Sequence, residues 1–276
     1  MGMVNPVTPE QVGAFYDFIT PYFKSVWGEN IHYGCWESPD DTNEQAHQRL
    51  SDHVIDRVDL KAGERLLDVG CGVGRPAMDC VKRTGGSVLG ISISASQVLQ
   101  AKQAAASAGL QERARFQRVN ALDMPFDDSS FDAAMAIESF IYMPRDQVLK
   151  EIARVLRPGG RVVFTDIIEV GALDEQQLST FLQAFALYSV VTLDDYRRDL
   201  AAVGLEIDEV FDISAKVTPF FKRFYDATIA NADTVKDIYG KEVFDNLVGA
   251  LQVMMGAYEG DEQGFGYVIV TARKPA

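Results

Sequence analysis

Leu66-Leu67-Asp68-Val69-Gly70-Cys71-Gly72-Val73-Gly74-Arg75-Pro76 is an apolar run that breaks into three alternating glycines and then into a helical pattern over 75–84. The run predicts a buried strand at 66–70. Glycines at 70, 72 and 74 permit a sharp turn and let backbone N–H groups approach a ligand with no Cβ in the way. Pro76 suits a first helical turn, where no N–H is needed, and the N-terminus of that helix favours a carboxylate. Outward from this unit, short apolar runs at 87–92, 115–120, 132–137 and 161–168 alternate with helical patterns at 94–109 and 145–156. Gly85-Gly86, Gly109 and Arg157-Pro158-Gly159-Gly160 supply turn chemistry between them. Two further strands are expected at 206–213 and 266–273, rich in β-branched and aromatic residues. The alternation predicts an α/β fold, a Rossmann-like, doubly wound sheet of seven strands.

Three regions fall outside the alternation. Residues 1–60 hold helical patterns at about 9–25 and 44–58 and read as an N-terminal helical cap; 61–276 reads as the main domain, interrupted at about 169–192 and 217–260. Insertions of this kind commonly cover the carboxyl ends of the strands, where ligands bind in open α/β sheets, so both are expected to form a lid.

Composition narrows the chemistry. The 276 residues are 47% hydrophobic and 24% charged, ordinary for a globular enzyme. A formal charge of −14 argues against a nucleic-acid partner, which needs clustered Lys and Arg. The same reasoning weakens a diphosphate substrate, because no Arg or Lys clamp lies near the motifs. No basic start with an apolar run and no stretch of about 18 apolar residues occurs, so a cytoplasmic chain without a membrane partner is expected. Cys35, Cys71 and Cys80 are too few and too irregular for a disulfide framework or a zinc motif, and metal is not implied.

A dinucleotide loop would carry glycine at 75, where Arg75 stands, and a phosphate-cradling loop would continue Gly-Lys-Ser/Thr. Chemistry-bearing residues recur at the other strand ends: Gly90-Ile91-Ser92-Ile93-Ser94 with Gln97, Asn120-Ala121-Leu122, and Ala136-Ile137-Glu138-Ser139. Hydroxyl and amide groups there can hold a ribose, and an amide with free backbone groups can read a purine edge.

On these residues the chain resembles the class I S-adenosylmethionine-dependent methyltransferases. Trp27-Gly28-Glu29-Asn30-Ile31-His32-Tyr33-Gly34-Cys35-Trp36 and the Gly-Ile-Ser-Ile-Ser-x-x-Gln run are similar to a natural-product group of sugar O-methyltransferases, spinosyn-type cyclases and tocopherol-type methyltransferases, and to the mycolic-acid cyclopropane synthases. The resemblance implies S-adenosylmethionine as cofactor. It implies that Asp68, Gly70, Gly72 and Gly74 hold its methionine end, Ser92 and Gln97 its ribose, and Asn120, Ala121 and Leu122 its adenine, with Cys71 and Ile93 also among the cofactor-binding residues. Tyr16 and Tyr33 match aromatic positions that close over the cofactor in relatives.

The acceptor is less plainly written. Where sugar O-methylating relatives carry a His pair after the Glu-Ser of the fourth strand, this chain has Ile141 and Tyr142, so the usual base is missing; Asp166 matches a carboxylate of those enzymes. Glu138 and Tyr142 are the catalytic candidates, although a tyrosine with an ordinary pKa of about 10 is a poor base. Phe140, Ile141, Tyr142, Asp166, Phe181, Phe185 and Tyr188 are expected to line the acceptor site, with Phe220, Phe221, Phe224, Tyr225, Met254, Met255 and Tyr258 in the lid. Aromatic lining without a base suits an alkene, which attacks with no prior deprotonation and leaves a cation that ring faces stabilise. The expected reaction is C-methylation of a prenylated, terpenoid-indole-type acceptor with cyclisation. An O- or N-methylation of a small aromatic or glycosylated metabolite, or a cyclase that keeps the cofactor as structure, are the alternatives. His32 is expected to be structural, and His47 and His53 solvated. The apolar helix around Phe15 to Phe23 is a candidate surface for homo-oligomer formation.

Overall fold

The computed structural model of the protein describes residues 7–171, 175–259 and 264–276. Its centre is one sheet, ordered β3-β2-β1-β4-β5-β8-β7, from β1 (Arg65–Val69), β2 (Ser87–Ser92), β3 (Ala114–Arg118), β4 (Phe131–Ile137), β5 (Leu156–Glu169), β7 (Glu206–Asp212) and β8 (Phe265–Arg273). The two-residue β6 (Val191–Thr192) adds to β5 off this path. Seven strands were expected, and the eighth is this short piece. All pairs are parallel except those of β8, which inserts antiparallel between β5 and β7. The order reverses between β1 and β4, the switch point at which open α/β sheets bind ligands.

Each face of the sheet carries helices because β1, β4 and β5 are apolar on both sides, with Leu66, Leu67, Ala133, Ala134, Val162 and Val163 all fully buried. On one face lie α2 (Asn43–Val58), α3 (Arg75–Thr84) and α4 (Ala95–Ser107); on the other lie α5 (Arg145–Val155) and α7 (Leu193–Ala202). Helix α7 was not foreseen, although Thr192 and Asp195 form the reciprocal cap that announces it. Helix α5 ends at Val155, and Leu156, read from sequence as the helix end, and residues 157–160, read as a turn, enter β5 instead. Leu156 pairs with Phe131, and Gly159 and Gly160 exchange backbone hydrogen bonds with Lys274.

The remaining helices sit over the carboxyl ends of the strands: α1 (Pro9–Val26), α6 (Glu175–Ala184), α8 (Ser214–Val217), α9 (Pro219–Ala230), α10 (Ala232–Tyr239) and α11 (Lys241–Glu259). Helix α1 is fixed at its start by a Thr8/Gln11 capping box. Along its length it is pinned to α4, where Asp17 accepts from the Ser94 hydroxyl and, at 3.1 Å, from Ser96 N–H. Tyr22, Phe23 and Trp27 interleave with Phe224 and Phe220 of α9. Among the described residues, no helix is long and apolar enough to cross a membrane.

Candidate functional site

The glycine loop is held by geometry that only glycine meets without strain. Gly70, Gly72 and Gly74 have φ of 79°, 52° and 83°. Gly70 and Cys71 N–H both donate to Ile91 O at 2.9 Å, which folds the loop back against β2. A Cβ at Gly70 would lie 2.3 Å from Cβ of Ser139, and one at Gly74 would lie 2.6 Å from the Phe116 ring. A Cβ at Gly72 meets only Ile31, at 3.5 Å, so that glycine borders the open cleft. The cleft is also lined by Asp68, Ser92, Ile93, Gln97, Asn120, Ala121, Leu122, Tyr16 and Tyr33, which the fold brings together from separate segments.

The polar groups of this half are partly committed. Ser92 donates to Gln97 Oε1 at 2.9 Å, and the Gln97 amide donates to Thr20 of α1 at 3.3 Å. The expected ribose residues therefore also fasten the N-terminal helix. Asn120, which lines the cleft, accepts at Oδ1 from Leu122 N–H at 3.0 Å. Asp68 is nearly fully buried, its Oδ2 has no partner, and burial pushes its pKa up to about 7. A buried carboxyl oxygen left bare costs free energy unless a ligand donates to it. This orphaned acceptor beside a glycine cradle fits the amino-acid end of S-adenosylmethionine.

The second half of the cleft is apolar. Ile141, Ile167, Phe181, Phe185, Leu187, Phe220, Phe221 and Phe224 face it, and Tyr33 stacks on Phe220 with ring centres 3.9 Å apart. Tyr16 and Tyr142 meet edge to face at 5.2 Å and share a hydroxyl hydrogen bond; burial raises the pKa of both. Tyr142 is thus a hydrogen-bonding wall residue and is unsuited to proton abstraction.

Glu138 directly follows β4 with a left-handed backbone, φ 52°, rare for a residue with a side chain. Its N–H donates to both O and Oγ1 of Thr165, each at 3.2 Å. One carboxyl oxygen accepts from Tyr33 N–H at 2.8 Å and from the Tyr267 hydroxyl at 2.5 Å. Burial outweighs these donors and pushes the Glu138 pKa up to about 8. Asp166, the other expected carboxylate, is fully buried and fully engaged. Arg145 reaches it at 3.3 Å, the Tyr196 hydroxyl donates to it, and Ile167 N–H donates at 2.9 Å. Arg145 also holds Ser189 through both hydroxyl and carbonyl, at 2.6 and 2.7 Å.

Two expected acceptor contacts are corrected. Phe140 belongs to a single 3-10 turn, 140–142, that sends Ile141 and Tyr142 into the cleft and Phe140 to the opposite core, 5.0 Å from Phe164. Tyr188 does not line the cleft; its contribution is a backbone N–H to Ile141 O at 2.8 Å. His47, expected in solvent, is buried beside Trp27 and His32, and burial lowers its pKa to about 3. His32 is neutral and structural, between Tyr33 O at 2.6 Å and Ser51 Oγ at 3.2 Å, with its pKa lowered to about 4 by burial. The Tyr258 side chain lies outside the described residues. Sequence reasoning missed Tyr267 and Arg145. Tyr267 pairs with Ile167, a hundred positions away, and no local pattern announces that register.

The mycolic acid cyclopropane synthetase family model matches residues 7–259. The methyltransferase GfsG of Streptomyces halstedii is 35% identical over 271 residues, which is 96% of this chain and 94% of that protein. The 27-O-demethylrifamycin SV methyltransferase of Amycolatopsis mediterranei is 34% identical over 99% of this chain and 100% of its own. Among solved structures, the [4+2]-cyclase SpnF superposes with a TM-score of 0.86 at 34% identity, covering 98% of both chains.

Proposed function

The chain belongs to the mycolic acid cyclopropane synthetase family and is an S-adenosylmethionine-dependent methyltransferase of natural-product biosynthesis; from that premise we propose that it C-methylates the alkene of a neutral, prenylated acceptor such as a terpenoid indole. The reading rests on one observation: among the described residues, the two carboxyls beside the apolar half of the cleft, Asp166 and Glu138, are not free carboxylates near neutral pH. Asp166 is locked by Arg145 and Tyr196, and Glu138 is a neutral acid until about pH 8.

The cofactor, when bound, supplies an electrophilic methyl group on a sulfonium. Residues of the glycine loop with Asp68 would hold its amino-acid end, Ser92, Ile93 and Gln97 its ribose, and Asn120 to Leu122 its adenine. The protein's remaining task is to place the nucleophile about 3 Å from the methyl carbon in line, and to keep water away. Phe181, Phe185, Phe220 and Phe221 provide the apolar surface for a prenyl chain. Tyr16 and Tyr33 present ring faces that favour a cation developing on the acceptor. The ionised fraction of Glu138, which grows as pH rises toward about 8, would take at Oε2 the proton released when that cation collapses, with Tyr33 N–H and Tyr267 fixing the carboxyl through Oε1. The segments 1–60, 169–192 and 217–260 act in this reading as the cap and lid over one methyltransferase domain.

O-methylation is the second reading, favoured by the rifamycin relative. Above about pH 8 the Glu138 carboxylate could serve an acceptor hydroxyl. Incubation with methyl-labelled cofactor and a panel of prenylated and hydroxylated acceptors, followed by mass spectrometry and NMR, decides between them. Label on carbon with turnover insensitive to acceptor ionisation supports the first reading; label on oxygen overturns it. Product formed without release of demethylated cofactor would mark a cyclase like SpnF.

A further inference from the structure

Outside the cleft, the loop after Tyr33 brings Cys35 and Glu37 against His53 of α2, with one ligand-type atom of each within 4.8 Å of the others. The sequence offers no zinc motif because the three residues are split between a loop and a helix. From this juxtaposition we propose a divalent metal site, formed by Cys35 Sγ, a His53 ring nitrogen and Glu37, that takes Zn2+ as a staple between the loop and α2.

Three features of the surroundings point to a cation. His53 Nε2 is buried and has no hydrogen-bond partner, although its ring is fixed edge-on to Phe211 at 5.6 Å. Cys35 is fully buried and free of any disulfide. The backbone around both is already set: Cys35 N–H donates to Ala46 O, Trp36 N–H to Lys216 O, and Glu37 N–H to Asp41 Oδ2. Little ordering remains for the metal to impose. Thiolate, imidazole and carboxylate together suit zinc, with solvent as the fourth ligand.

The charges nearby are compatible. Lys216 pairs with Glu37 Oε1 at 2.7 Å, so the second carboxyl oxygen is the available ligand; Arg49 and Asp41 neutralise each other at 2.7 Å, and Arg57 is held by Glu209. Burial, with Glu37 nearby, raises the Cys35 pKa to about 11, so the thiol arrives protonated. Binding exchanges one proton for the metal: the S–H bond breaks, the sulfur lone pair binds the cation, and the proton leaves to solvent. Tyr33 and its neighbour His32 lie on the same loop and line the cleft, so the staple would stiffen one wall of the active site.

The test uses the full chain. Titration with CoCl2 should produce a thiolate-to-cobalt charge-transfer band, and equilibrium dialysis with ZnCl2 should retain one equivalent, with one proton released. His53→Ala and Glu37→Gln, both at partly exposed side chains, should weaken retention while leaving the circular dichroism spectrum unchanged; Cys35→Ser should abolish the cobalt band, and Cys80→Ser should not. The cobalt spectrum of the unmodified protein needs no variant to fold. A spectrum without thiolate character, or zinc retained equally by His53→Ala, overturns the proposal.

Discussion

The carboxyl of Glu138 accepts the backbone N–H of Tyr33 at 2.8 Å, across 105 positions of sequence, and so ties the N-terminal loop to the end of β4. Glutamine at 138 keeps an acceptor for Tyr33 but cannot take up a proton. Glu138→Gln should therefore leave cofactor affinity within a few-fold while lowering kcat by about 100- to 10,000-fold, the usual range for a proton-transfer group. Calorimetric cofactor binding and steady-state kinetics check this; an unchanged kcat would leave Glu138 a structural tie only.

Stability should fall as pH rises across the neutral range, before ligand is added. Glu138 and Asp68 have folded-state pKa values raised to about 8 and about 7, so the folded chain binds protons that the unfolded chain has released. Their stabilising contribution is complete below the ordinary carboxyl range and is lost as pH climbs through those values. His32 and His47, lowered to about 4 and about 3, act oppositely: their contribution is complete above the ordinary histidine range and is lost on acidification. Thermal melts of the ligand-free protein from pH 5 to 9 should show an alkaline decline that flattens in Asp68→Asn. An identical slope in that variant would refute the assignment.

Asp166 and Arg145 form a buried ion pair in which each also holds neutral partners. Replacing Asp166 by Ala strands the guanidinium inside the core, and urea unfolding should show a loss of about 3–5 kcal/mol. A surface-like loss below about 1 kcal/mol would contradict the burial described.

Gly70→Ala places a methyl group 2.3 Å from Ser139 Cβ on a backbone with positive φ. Strain of about 1–3 kcal/mol comes from the backbone alone. The variant should lose most cofactor affinity, whereas Gly109→Ala, with φ 68° but open space around it, should melt slightly lower and bind normally. Isothermal titration separates the two.

Asp17→Ala removes the acceptor of Ser94 Oγ and Ser96 N–H, the contacts that hold α1 against α4. Limited proteolysis within 9–26 should accelerate, and KM for the cofactor should rise several-fold with kcat less affected. Equal cleavage rates would show that the aromatic packing of Tyr22 and Phe23 suffices.

Much of the sheet was legible because its strands are short, apolar and punctuated by glycine. That Asp68, Ser92, Gln97 and Asn120 meet at one cleft was legible for the same reason, since they follow strand ends in chain order. The acceptor half was harder. Phe140 and Ile141 are adjacent and both apolar, and only the 3-10 turn decides that they face opposite cores. The fates of Asp166 and Glu138 depend on Arg145, Tyr196 and Tyr267, which arrive from distant elements. Aromatic side chains in the lid serve core and cleft together, so composition alone could not divide them.

The antiparallel insertion of β8 carries a consequence for synthesis of the chain. Residues 265–273 occupy an interior lane of the sheet, between strands made about a hundred and about sixty residues earlier. A nascent chain emerging from the ribosome therefore holds β5 with an unsealed flank and Glu138 without its phenol until that segment is released. A chain stalled before residue 265 leaves that wall of the cleft incomplete and β5 with an unpaired edge.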